Sequence, residues 1–163
     1  MNKALVLFLT GLILVGCGTT EEPIMSKGAV VEDYLKQEVL EVSGHGGKIY
    51  ARYLTLDSES HDNIINQEIW AEVHEYYSED GVVLRGGNFS GLIKLNIIVG
   101  EDGKNDIVSH YKYSKTSDVN NLVDDFSEKT LEWAMGEDSA AKRIKITEKL
   151  RDNLKADAEK DLL

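Results

Sequence analysis

One cysteine, one proline and few cations mark this chain by scarcity. The lone cysteine, Cys17, excludes any disulfide within the chain. Lys and Arg number 18 against 29 Asp and Glu, a formal net charge of −11. Phosphate-backbone recognition needs a basic patch and none is visible, so no nucleic-acid partner is expected. Attraction of the domain to anionic lipid by charge is disfavoured for the same reason. No apolar run reaches the ~20 residues of a membrane-spanning helix. Motifs are missing too: there is no His-Glu-x-x-His, no Gly-x-Ser-x-Gly elbow, no phosphate-binding glycine loop and no internal repeat.

What is present begins at the N-terminus. Lys3 precedes an apolar stretch from Ala4 to Val15, interrupted only by Thr10 and Gly11, and polar residues start at Gly18. A positive start, a short apolar core and a small residue before a polar segment make an export signal. Two other readings compete with cleavage there: an uncleaved membrane helix, for which the run is short, and an ordinary secretory signal with an incidental cysteine. Leu14-Val15-Gly16-Cys17 resembles the lipobox of bacterial lipoproteins, over residues 1–17. The resemblance implies cleavage between Gly16 and Cys17, lipidation of the Cys17 sulfur by diacylglycerol, and acylation of the new amino group by a palmitate-like chain. One acyl chain binds a bilayer reversibly, whereas two or three anchor stably.

Removing residues 1–16 from the 163 leaves 147, enough for one domain with its own core. Residues 17–28 read as the lipidated cysteine and a polar tether containing Pro23. Residues 29–163 read as a single α+β domain. Val31, Tyr34, Leu35, Val39 and Val42 predict a helix over 29–42, ended by Ser43-Gly44-His45-Gly46-Gly47. About four antiparallel strands follow, at roughly 48–57, 67–77, 92–99 and 106–113. The second is ambiguous, because Ile65, Ile69, Val73 and Tyr77 also stand at helical spacing. Glu79-Asp80-Gly81 turns the chain into Val82-Val83-Leu84. Two helices are expected at roughly 118–135 and 139–160. The layout resembles cystatin-like or NTF2-like folds, and Gly91–Ala134 looks like the C-terminal module of TonB-type proteins. Neither likeness implies an activity.

Candidate chemistry is thin. His45 and His61 fall in expected loops, while His74 and His110 are expected together on the second side of the sheet. A divalent site there needs further ligands, such as Glu72 or Glu75, and zinc-type spacing is missing. Gly87-Asn88-Phe89-Ser90-Gly91 reads as a polar loop between strands, and Glu101-Asp102-Gly103-Lys104-Asn105-Asp106 as a turn rather than a calcium loop. Trp70, His74 and Tyr76 share one strand face, with His110 grouped beside them as a tentative binding face. The competing reading is that a C-terminal helix covers that face and makes it core.

No catalytic, metal or cofactor-binding residue is therefore expected, the covalent lipid on Cys17 aside. The expectation is a lipid-anchored, non-enzymatic binding or interaction domain on the extracytoplasmic face of the cell membrane, with an unidentified protein partner. The alternatives are a hydrolase or metal-dependent enzyme built from dispersed His, Asp and Glu, and an accessory or exclusion lipoprotein that blocks a membrane partner. Cys17→Ala is expected to release the protein from membranes or to leave an unprocessed precursor. Cell fractionation with intact-mass measurement checks this, and normal processing with normal retention refutes it.

Overall fold

The structure is a computed structural model that describes residues 28–43, 45–101, 105–113 and 119–163, with the side chains of 119–121 left aside. The signal, the lipobox and the tether up to residue 27 lie outside the described residues. So does part of the expected 101–106 turn. The element order is α1 (Ala29–Glu38), β1 (Lys48–His61), β2 (Ile64–Glu79), β3 (Val82–Val99), β4 (Asn105–Lys112), α2 (Val119–Asp125), α3 (Glu128–Met135) and α4 (Ala140–Leu162). The strands form one antiparallel sheet in the order β1-β2-β3-β4. This is the expected α+β arrangement: a helix, a four-stranded meander, then C-terminal helices.

Alternation along the strands builds two cores. Ala51 and Tyr53, Ile69, Ala71 and Val73, and Ile93, Leu95 and Ile97 point to one side and pack on Val31, Leu35 and Val39 of α1. Each fully buried aliphatic side chain here, such as Leu35, removes apolar surface worth ~1.5–3 kcal/mol. On the other side Leu54, Leu56 and Leu92 meet Leu122 and Phe126, while Tyr76 meets Leu154 and Ala158 of α4. The sheet is thus sandwiched between α1 and the α2–α4 layer. Arg52 ties the layers across the β1 edge, bonding Glu32 of α1 at 2.8 Å and Asp157 of α4.

β2 resolves as a strand because it is buried on both faces. Ile65, Ile69 and Val73, an even number of residues apart, share the α1 face, while Trp70 goes to the core on the other side. Asp80 (φ 51°) and Gly81 (φ 74°) are both left-handed, as the tightest two-residue hairpin requires. The segment 87–91 is not a loop; it lies inside β3, an 18-residue strand that joins the hairpin return to the expected 92–99 strand. The predicted 118–135 helix is two helices. Ser127 adopts an extended backbone and its Oγ accepts from the Thr130 N–H at 3.3 Å, starting α3 afresh.

A β-bulge between Asn96 and Ile97 changes the face of β4. Ile107 pairs with Ile97, and Ser109 with Asn96, so Val108 is the extra residue. His110 therefore pairs with Leu95 on the α1 side, and its Nδ1 meets the Tyr34 hydroxyl of α1 at 2.6 Å. Burial, followed by the charge of Lys112, lowers the His110 pKa from its ordinary value.

Glu75 locks the loop between α1 and β1. The N–H groups of Ser43 (3.0 Å), Gly47 (3.0 Å) and Gly87 (3.2 Å) all donate to its carboxylate. The Ser43 side chain beside it, with those backbone donors, outweighs burial and holds the Glu75 pKa at about 2. A Cβ on Gly47 would stand 2.6 Å from the Tyr76 carbonyl oxygen, so glycine is required there, and one on Gly86 would stand 2.5 Å from Glu75 Oε2 and displace the carboxylate from its donors. A folded pKa below the unfolded one contributes stability that is complete above the unfolded value and lost as pH falls toward the folded value. From the ordinary 4.5 down to about 2, the protein is expected to lose stability that Glu75→Gln has already forfeited. Thermal melts across that range check this: the variant should melt lower near neutrality and show the shallower acid dependence.

Candidate functional site

The polar centre of the molecule lies under α4. Glu72, on β2, is fully buried, and both its oxygens are filled. Oε1 accepts from Trp70 Nε1 (3.1 Å), Ser90 Oγ (2.6 Å) and Arg151 (3.3 Å). Oε2 accepts from Arg151 Nε (3.0 Å) and pairs with His74 Nε2 (3.0 Å). Burial pushes the carboxyl pKa up, and the bonds from His74, Arg151, Ser90 and Trp70 together pull it below its ordinary value. His74 Nδ1 in turn lies 3.3 Å from the Tyr76 hydroxyl, whose pKa burial raises. Trp70, Glu72, His74 and Tyr76 line up because alternate residues of a strand share a face. Arg151 reaches them from the middle of α4.

The chemistry available here is limited. A carboxylate that already accepts five bonds has no lone pair left to take a substrate proton. Ser90 donates to Glu72 rather than to the histidine, so the nucleophile–base contact of a hydrolase is missing. Beside this network opens a cleft of about 730 Å³, lined by Trp70, Leu92, Tyr113, Leu122 and Met135, by the 88–91 segment of β3, and by Arg151. Its size falls in the range of small-ligand sites, ~300–1,000 Å³. Trp133 packs behind Trp70 with ring centroids 5.2 Å apart, fixing the wall.

The tentative binding face divides. Trp70 lines the cleft, half-buried, while His74 and Tyr76 are buried beneath α4 as core. His110, expected beside them, is on the opposite side of the sheet because of the Val108 bulge. His74 and His110 therefore do not converge, and Glu75 is committed to the 43–47 loop. Exposed His45 stacks on Tyr77 at 4.6 Å, and exposed His61 closes β1. Among the described residues no three His, Cys, Asp or Glu side chains gather to hold a metal ion. Ser90 enters the sequence reading only within the expected 87–91 loop, and Arg151 and Met135 not at all. Nothing local marks them, since Arg151 meets Glu72 across 79 residues.

No family model matches the chain, and no curated protein or solved structure matches it.

Arg151 and Glu72 are expected to be energetically coupled. The Arg151 side chain is 44% exposed, so water screens part of the attraction. Arg151→Met strands a buried carboxylate with its remaining donors and is expected to cost about 1–3 kcal/mol. Glu72→Gln/Arg151→Met should cost less than the two single changes summed, which denaturant unfolding in a double-mutant cycle measures. Strict additivity would refute the coupling.

Proposed function

We propose that this chain is a lipid-anchored extracytoplasmic lipoprotein whose one domain binds a partner at the membrane surface without catalysing a reaction. Cleavage between Gly16 and Cys17 and acylation of Cys17 by diacylglycerol and a palmitate-like chain are the anchor in this reading. Leu14-Val15-Gly16-Cys17 supports it. Among the described residues no helix is long and apolar enough to cross a membrane, which leaves the described domain without a spanning helix of its own. The helix, meander and helices support a cystatin-like or NTF2-like layout as part of the same reading.

The observation that carries the binding role is the cleft beside Arg151. It presents aromatic and aliphatic walls, a few polar groups, and next to them a carboxylate with no free capacity. That is the composition of a recognition site. A dispersed histidine–carboxylate enzyme draws no support, because the sheet separates His74 from His110.

A photo-crosslinking residue tests this reading in the cells that make the protein. It is placed at Met135, 48% exposed on the cleft's lip, and as a control at Val30, 46% exposed on α1. Membranes are expected to yield a discrete adduct from position 135 and none from position 30. No adduct at 135, or the same adducts at both, would overturn the cleft as the binding site.

A further inference from the structure

Charge is distributed unevenly in this acidic chain. The first half of α4, Ala140–Arg151, carries Lys142, Arg143, Lys145, Lys149 and Arg151 against one acid, Glu148. Outside it, acids outnumber cations by more than two to one. Two of these cations turn inward: Arg143 donates to the Trp133 carbonyl at 2.7 Å, and Arg151 to Glu72. The other three do not. Lys142, Lys145 and Lys149 stand three and four residues apart, so they share one face of the helix. Thr147, Leu150, Leu154 and Ala158 are buried on the other side, and all three lysines are exposed.

Further along the same helix the charges are matched. Lys155 pairs with Glu159 at 3.6 Å, while Asp157 and Asp161 hold Arg52 and Lys48 of β1. Among the described residues Lys142, Lys145 and Lys149 have no such ion pair, although Glu148 and Asp152 flank them on the helix. Ile144, 58% exposed between Arg143 and Lys145, puts a large apolar side chain beside the stripe. A cationic helix face with an apolar residue next to it is the composition of a helix that lies on a membrane surface.

We propose that the Lys142–Lys145–Lys149 face of α4 lies against the anionic lipid headgroups of the membrane that holds the anchor. The orientation rests on the anchored reading above. The net charge of −11 speaks against anionic lipid for the chain as a whole. A charge in ~0.15 M salt, however, is felt over only ~8 Å. α1 and α4 lie on opposite sides of the sheet, two packing layers of ~10 Å apart, so the acids of the α1 side are screened from a surface that touches α4. From Cys17 to Gly28 the chain spans at most ~40 Å, which exceeds the separation of the two helical layers. Each lysine near an anionic surface strengthens attachment about fivefold, so three amount to roughly a hundredfold. An acidic protein would match the charge too, but the lipid surface is always within reach of an anchored domain.

Fluorescence quenching tests it on the mature, acylated protein in vesicles of phosphatidylcholine with about 30% phosphatidylglycerol and a trace of headgroup-nitroxide lipid. Cys17 is the chain's one cysteine and acylation leaves it no thiol, so a fluorophore on Ala141→Cys or Val30→Cys marks a single place. Ala141 is exposed one turn before Lys145, and Val30 lies on α1. Quenching at 141 is expected to exceed quenching at 30 at least about threefold. The difference should vanish without phosphatidylglycerol, at about 1 M salt, and in Lys142→Gln/Lys145→Gln/Lys149→Gln, whose surface changes should leave the thermal melt in place. Equal quenching at both positions overturns the proposal, as does a difference that survives salt or the three substitutions. A crosslink from 141 to an acidic protein in native membranes, with equal quenching in vesicles, gives the face to that partner instead. Labelling at Cys17 itself removes the anchored reading and this orientation with it; every other adverse result leaves the anchor standing.

Discussion

Three buried carboxylates on β2 hold the architecture together, and each is satisfied by a different distant element. Glu68 accepts from the Ser127 N–H and hydroxyl, at 3.0 and 2.8 Å from Oε2, and so fixes the start of α3. Glu72 takes Arg151 and draws the middle of α4 onto the sheet. Glu75 gathers Ser43, Gly47 and Gly87, and sets the loop that brings α1 back to β1. A buried carboxylate without donors costs far more than a paired one contributes, so each of these elements has a defined seat and little tolerance for another. Apolar packing supplies the bulk of the drive to fold; the carboxylates decide which packing is adopted.

The same arrangement shapes the candidate site. The network around Glu72 consumes the polar groups that a catalytic reading would need, and its rigidity is what leaves Arg151, Trp70 and Ser90 in fixed positions on the cleft wall. A binding surface benefits from parts that do not reorganise on contact, because ordering them at that moment would weaken association. Saturation of the carboxylate and usefulness of the cleft are thus two results of one set of hydrogen bonds.

Much of the fold was legible because strand alternation and hairpin turns are local. Ile93, Leu95 and Ile97, and the turn at Asp80-Gly81, declare themselves within a few residues. What escaped reading depended on distant partners. Val119, Leu122, Val123 and Phe126 continue into Trp133 as one apolar pattern, and the break at Ser127 exists because Glu68, 59 residues away, claims its N–H. The bulge at Val108 has no glycine to announce it, and it alone moved His110 to the other face. Glu72 and Glu75 stood out only as possible metal ligands, because nothing local tells a buried, structural acid from a surface one in a chain with 29 of them. The 88–91 segment looked like a loop because of its glycines, which serve instead to admit close neighbours to a strand.

The distance along the chain between Glu72 and Arg151 also has a consequence for synthesis. Until the C-terminal helices are available, the sheet's second face carries Glu68, Glu72 and Lys94 without their contacts to Ser127, Arg151 and Asp125. That face mixes these charged groups with the apolar Leu54, Leu56 and Leu92, whereas the more apolar face is the one that α1, synthesised first, can cover early. The half of the sheet that must wait for its cover is the half with charged groups that water can solvate in the meantime.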